Sequence, residues 1–149
     1  MNGIARILKS EGANAITMAK FYMAVVQSVL LYGADLQTIK NRNWKRLESF
    51  HKRACRHMTG QHIQKHGDGS WTYPNHEDLE RKCGLFSIRT YIQRRRGTLR
   101  KYMETYREDL LQEAIKITRP SRNANKILWW KQEYITKEDM TALTNFWFK

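Results

Sequence analysis

Apolar residues recur at spacings of three and four over most of the chain, which is the period of amphipathic helices. Residues Asn2 to Lys9 read as a short helix that stops near Gly12. From Ala15 onward, Ile16, Ala19, Met23, Val26 and Leu30 fall on one helix face, which runs to about Tyr32 before Gly33 ends it. Asn41 or Asn43 is a candidate cap for the next helix. Its buried stripe is Trp44, Leu47, Phe50, Ala54 and Met58, and Thr59-Gly60 stops it. The period changes between Gln61 and Pro74. There Gly67-Asp68-Gly69 sits between two polar-to-aromatic arms, the signature of a hairpin. Asn75 then caps a short helix ending at Gly84. A long helix follows from about Ser87 to Tyr106, with Ile88, Tyr91, Ile92, Leu99, Tyr102, Met103 and Tyr106 as its apolar face. Glu108 to Thr118 reads as a further helix. Arg119 to Asn125 reads as a loop around Pro120. The tail carries Trp129, Trp130 and Tyr134, then a cap at Thr136 before a last short helix.

These elements predict a mainly α fold, a compact bundle of about five to seven helices with one short β-hairpin near residues 61–74. Residues 1–118 form the helical domain with its hairpin insertion. Residues 119–149 form a C-terminal loop and a short helical tail. The chain contains no internal repeat.

Composition supports a folded core. Of 149 residues 41% are hydrophobic, among them five Trp, seven Tyr and five Phe, which is enough to build a core and argues against wholesale disorder. No apolar run approaches the roughly 20 residues of a membrane span. The best candidate, Met23 to Tyr32, is short and interrupted by Gln27 and Ser28. No secretory signal is visible, and Cys55 and Cys83 do not make a disulfide framework. The expectation is an intracellular protein, nuclear or cytoplasmic, with no membrane partner.

Charge changes the picture more. The chain carries 27 Lys and Arg against 14 Asp and Glu, a net charge of +13. Residues 41–101 hold fifteen of those basic residues and five of the acidic ones, a local net of +10. On the helix after Asn41, the residues Arg42, Lys45, Arg46, Lys52, Arg53 and Arg56 occupy one side, opposite Leu47 and Ala54. Only Glu48 interrupts that stripe, so pairing one turn apart does not neutralise it. On the long helix, Arg89, Arg96 and Arg100 share a face, with Arg94, Arg95 and Lys101 beside it. Basic stripes of this kind point to a polyanion, nucleic acid first. The expected contacts are Arg42, Lys45, Arg46, Lys52, Arg53, Arg56, Arg89, Arg96, Arg100 and Lys101, on phosphates. Such contacts set position and carry no base specificity. Trp71 and Tyr73 on the hairpin are able to stack on bases, but burial against the helices is their expected role.

Other chemistry is poorly supported. His51 and Cys55 are four apart on one helix, and His62 and His66 are four apart on what reads as a strand. The Cys-x-x-Cys pair of structural zinc sites is missing, so no metal and no cofactor are expected. Tyr32-Gly33-Ala34-Asp35 is similar to the Tyr-x-Asp-Asp turn of polymerase palms. That turn needs adjacent carboxylates to hold two metals, and here Leu36 follows a lone Asp35. It reads as a helix-terminating turn. With no phosphate loop, nucleophile elbow or His-Glu-x-x-His, no catalytic residue is expected.

The stretch KFYMAVVQSVLLYGADLQTIKNRNWKRLESFHKRACRHMTG resembles the segment just beyond the palm of reverse transcriptases from non-LTR retrotransposons. The carrying blocks are Phe21 to Gly33 and Leu47 to Gly60. The likeness extends upstream through IARILKSEGA. Downstream it takes in Asp-Gly-Ser-Trp-Thr-Tyr-Pro, Gly84-Leu85, Tyr91-Ile92 with Arg94 to Arg96, and Trp129-Trp130-Lys131-Gln132. The resemblance implies a thumb-like helical segment, which in such polymerases grips the template–primer duplex. The palm, the fingers and their metal-binding carboxylates are absent. Ala34-Asp35-Leu36-Gln37 also departs from the usual Ser-Glu-x-Trp. The implied product is that of a truncated element, or a fragment of a longer one. The expected function is a nucleic-acid-binding module that holds RNA–DNA hybrid or duplex backbone without polymerase activity by itself. The alternative is a structural fragment that depends on a partner, the missing polymerase palm.

Overall fold

Helix ends follow the turn chemistry of the sequence. In the computed structural model, which describes residues 2–36, 39–117 and Thr141, α1 (Asn2–Ser10) closes on Gly12 at φ +80°. The Ala13 amide there donates to the Leu8 carbonyl at 2.9 Å. Asn14 caps α2 (Ala15–Phe21), its side-chain oxygen accepting from the Thr17 amide. The helix widens into a π-helical stretch, Tyr22–Gln27, and narrows again in α3 (Ser28–Leu30). Helix α4 (Asn41–Thr59) starts from Lys40 without a side-chain cap, so neither Asn41 nor Asn43 caps it. Hairpin strands β1 (Gln64–Lys65) and β2 (Trp71–Thr72) pair antiparallel, Gln64 opposite Thr72 and Lys65 opposite Trp71. Asn75 caps α5 (His76–Cys83), accepting from the Glu77 amide at 2.9 Å. Helices α6 (Ile88–Tyr106) and α7 (Glu108–Ile117) follow. The described residues are therefore mainly α with one short antiparallel hairpin, as the periodicity predicts. The loop at 119–125, Trp129, Trp130, Tyr134, the cap at Thr136 and residues 143–148 lie outside the described residues, and the tail expected from 119 with them.

The chain divides into two compact units. One comprises Met1–Tyr32 with Ile39–Ile88, and the other comprises Gly33–Thr38 with the chain from Arg89 onward. In the first unit, Met18, Ala19 and Tyr22 meet Ala54, Cys55 and Met58 of α4 and Leu79, Cys83 and Leu85 at the end of α5. Leu85 reaches this core because α5 ends in a Schellman motif. The Gly84 amide donates to the Arg81 carbonyl, and the Leu85 amide to the Glu80 carbonyl at 2.9 Å. Gly84 sits at φ +65°, a conformation that suits glycine.

The buried face of the second helical segment differs from the expected one. Ile16 is 51% exposed and Leu30 37%, whereas Met18, Tyr22, Gln27 and Leu31 are buried. The steps between those buried residues are four, five and four. The five-residue step falls on the π-helical stretch, whose wider turn carries the stripe round the helix. A strict helical period misses that rotation.

In the second unit, the turn after α3 contains Gly33 at φ +71° and a bond from the Leu36 amide to the Gly33 carbonyl at 3.0 Å. On α6, Ile92 and Arg96 are buried one turn apart, and Tyr102 and Tyr106 are 55% and 71% exposed. The two tyrosines leave the expected apolar face and pack on each other, ring centroids 5.3 Å apart. Among the described residues, no helix is long and apolar enough to cross a membrane.

Candidate nucleic-acid interface

Helix α4 separates its two kinds of side chain. Trp44, His51, Ala54, Cys55 and Met58 are buried, while Arg42, Lys45, Arg46, Lys52 and Arg53 are exposed and Arg56 is half-buried. An open depression on this side is lined by Asn41, Arg42, Lys45, Arg46, Ser49, Phe50 and Arg53. Four of these are cations and none is a carboxylate. None of the six stripe cations forms an ion pair among the described residues. Arginines elsewhere do: Arg81 with Asp78, Arg95 with Asp35, Arg100 with Glu104 and Arg107 with Asp109.

The positive field extends past the helix end. Burial lowers the pKa of His57, and the charges of His62, Arg56, Lys9 and Arg53 lower it further. Lys9 comes from α1, which packs on α4. Sequence reading missed its place there because α1 and α4 are far apart along the chain. The edge contact of the His57 and His62 rings, 6.1 Å between centroids, was likewise invisible.

The second stripe does not behave as one surface. Arg96 is fully buried, and its Nη2 donates to the Ala34 carbonyl at 3.4 Å. This corrects its expected place on an exposed face: Arg96 follows Ile92 by one turn and takes the core position that an apolar residue would fill. Arg100 is held by Glu104 at 2.7 Å, and Arg89 is half-buried. Lys101 remains exposed. The Tyr32-Gly33-Ala34-Asp35 segment is a turn, and Asp35 faces Arg95 at 3.6 Å.

His51 and Cys55 of α4 meet Glu80 and Cys83 of α5 in the buried interior of the first unit. His51 Nδ1 lies 3.1 Å from the Tyr22 hydroxyl, and His51 Nε2 lies 3.3 Å from Oε1 of Glu80. His76 Nε2 approaches the same oxygen at 3.0 Å. Burial pushes the Glu80 carboxyl up, but hydrogen bonds from His51 and His76 outweigh it and hold it at about 2. Cys55 is buried, and a hydrogen bond with Cys83 together with burial pushes its thiol far up. Such a thiol is a poor nucleophile. His62 and His66 do not share a strand: β1 lies between them, and His66 hydrogen-bonds Thr72 instead. Among the described residues, no group of three His, Cys, Asp or Glu side chains is arranged to hold a metal ion. Glu80 escaped the sequence reading, although its position one turn after His76 on α5 was a usable signal.

The hairpin stands apart. Every residue from 64 to 73 is exposed, Trp71 by 53% and Tyr73 by 66%. This overturns the expected burial of the two aromatics. Strands of two residues offer too little surface to pack a face on the helices. No family model, no curated protein and no solved structure matches the chain.

Proposed function

We propose that the chain is a nucleic-acid-binding helical module that holds the backbone of duplex DNA or RNA–DNA hybrid along α4. One observation carries this reading: six cations share one side of α4, and none has an ion-pair partner among the described residues. Four pairs of them stand three or four residues apart: Arg42–Lys45, Arg42–Arg46, Lys52–Arg56 and Arg53–Arg56. Each such like-charge pair weakens a helix by about 0.2–0.5 kcal/mol. A phosphate backbone relieves that repulsion and releases its own counterions. The resemblance of Phe21–Gly33 and Leu47–Gly60 to a reverse transcriptase thumb supports the same role.

Electrophoretic shift with duplex DNA and with RNA–DNA hybrid tests the reading. Binding is expected at low salt and falls steeply as salt rises. Reversing Lys45, Arg46 and Arg53 to Glu is expected to abolish the shift and leave the helical signal in circular dichroism intact. No shift at low salt, or a shift unchanged by the reversal, overturns it.

A second reading has its own observation. Val25, Val29 and Tyr32, spaced four and three apart, are 46%, 75% and 88% exposed. An apolar surface of that kind suits a partner-dependent fragment that docks on a polymerase palm. Thermal melting separates the two: a cooperative transition of the chain alone favours the autonomous module, and a broad one favours the fragment.

A further inference from the structure

We propose that the face of the hairpin bearing Trp71 and Tyr73 is a stacking platform for unpaired nucleotides. The inference rests on the reading of the chain as a nucleic-acid binder and adds a second contact of a different chemistry. Trp71 lies in β2 and Tyr73 just past its end, two residues on, the spacing that returns to one face of an extended strand. A hairpin in a folded domain ordinarily turns its aromatic face to the core. Here residues 64–73 are exposed throughout, so that face meets solvent. Lys65, the cross-strand partner of Trp71, holds its Nζ 5.5 Å from the ring centroid. This cation–π contact orients the indole from one side and leaves the ring half-exposed.

The turn is closed by its own hydrogen bonds. The His66 amide donates to the Ser70 carbonyl at 2.9 Å, and the Gly69 amide to the His66 carbonyl at 3.0 Å. Asp68 Oδ1 accepts from the Ser70 amide at 2.9 Å and from its hydroxyl at 2.6 Å. The one carboxylate of the hairpin is thus engaged within the turn, while Lys65 keeps a positive charge beside the indole of Trp71. Pre-set aromatic faces beside a cation are what an unpaired base and its phosphate require. A paired base inside a duplex offers no such face, so the platform selects single-stranded ends or gaps.

The test compares a blunt DNA duplex with the same duplex carrying a short single-stranded thymidine overhang, using the full chain. The wild type is expected to bind the overhang probe more tightly, by roughly fivefold or more for each aromatic engaged. W71A/Y73A is expected to remove that preference and to bind the blunt duplex as before. W71F, which keeps an aromatic face, is expected to retain most of it. Equal affinity of the wild type for both probes overturns the proposal and spares the α4 reading. So does a preference unchanged in W71A/Y73A, the result expected if the rings meet a protein. An equal loss on both probes also overturns it. Binding to neither probe overturns the α4 reading and this one with it.

Discussion

His51 Nε2 and Glu80 Oε1 lie 3.3 Å apart with both side chains almost wholly buried. The Tyr22 hydroxyl lies 3.1 Å from Nδ1 of the same ring, so both ring nitrogens face polar partners. One imidazole thereby ties the π-helical stretch, α4 and α5 together, and His76 closes the set on the same oxygen.

Replacing Glu80 with Ala removes the carboxylate that faces the buried His51 imidazole and the half-buried His76. The expected loss is about 2–3 kcal/mol of folding free energy, the scale for hydrogen bonds to a charged group. Urea unfolding monitored by circular dichroism measures it. A loss below about 0.5 kcal/mol, the range of an ordinary surface substitution, contradicts the role assigned to the network.

The same carboxyl gives stability a pH dependence. Its pKa is held at about 2, against an ordinary value of 4.5. A group with a depressed folded-state pKa stabilises the fold fully above its unfolded value and loses that contribution as pH falls through the folded one. The stability difference between wild type and E80Q is therefore expected to shrink between about pH 4.5 and pH 2. A difference that stays constant over that interval argues against this network.

Arg53 and Arg96 should respond in opposite ways. Arg53 is exposed on α4, so R53E is expected to weaken duplex binding with little effect on melting. It should also lower the magnitude of the salt slope by about one unit, the share of one phosphate contact. Arg96 is fully buried and bonded to the Ala34 carbonyl, so R96A is expected to lower stability by about 1–3 kcal/mol. Its salt slope should stay unchanged. The paired measurement is a salt titration of binding beside a urea melt. A flatter salt slope for R96A contradicts its assignment to the core.

Gly84 allows a test of backbone conformation alone. A Cβ at this position meets nothing within 4 Å, yet φ is +65°. G84A is therefore expected to destabilise the fold by about 1–2 kcal/mol through left-handed backbone strain. Thermal melting reads the loss. An unchanged midpoint would mean that the Schellman turn does not set the entry of Leu85 into the core.

Much of the fold was legible because its signals are local. Asn14 and Asn75 cap helices through their own side chains, and Gly60 and Gly84 end helices in the left-handed region. The α4 stripe was legible for the same reason: its six cations and its buried residues alternate on one continuous helix. The face of residues 15–30 was not, because a π-helical stretch rotates the buried side by one residue and nothing in the local pattern marks it.

The sequence alone determined most helix ends, where the hairpin turns and on which helix the positive charge concentrates. Those properties depend on neighbours within a few residues. Tertiary structure decided which long side chains are buried and which aromatics stay in solvent. Arg96 enters the core and bonds Ala34, sixty-two residues away in sequence, while Arg95 beside it pairs with Asp35. Trp71 and Tyr73 remain outside because two-residue strands give no face for packing. Burial depends on what approaches from elsewhere in the chain, and composition, period and spacing carry no record of that approach.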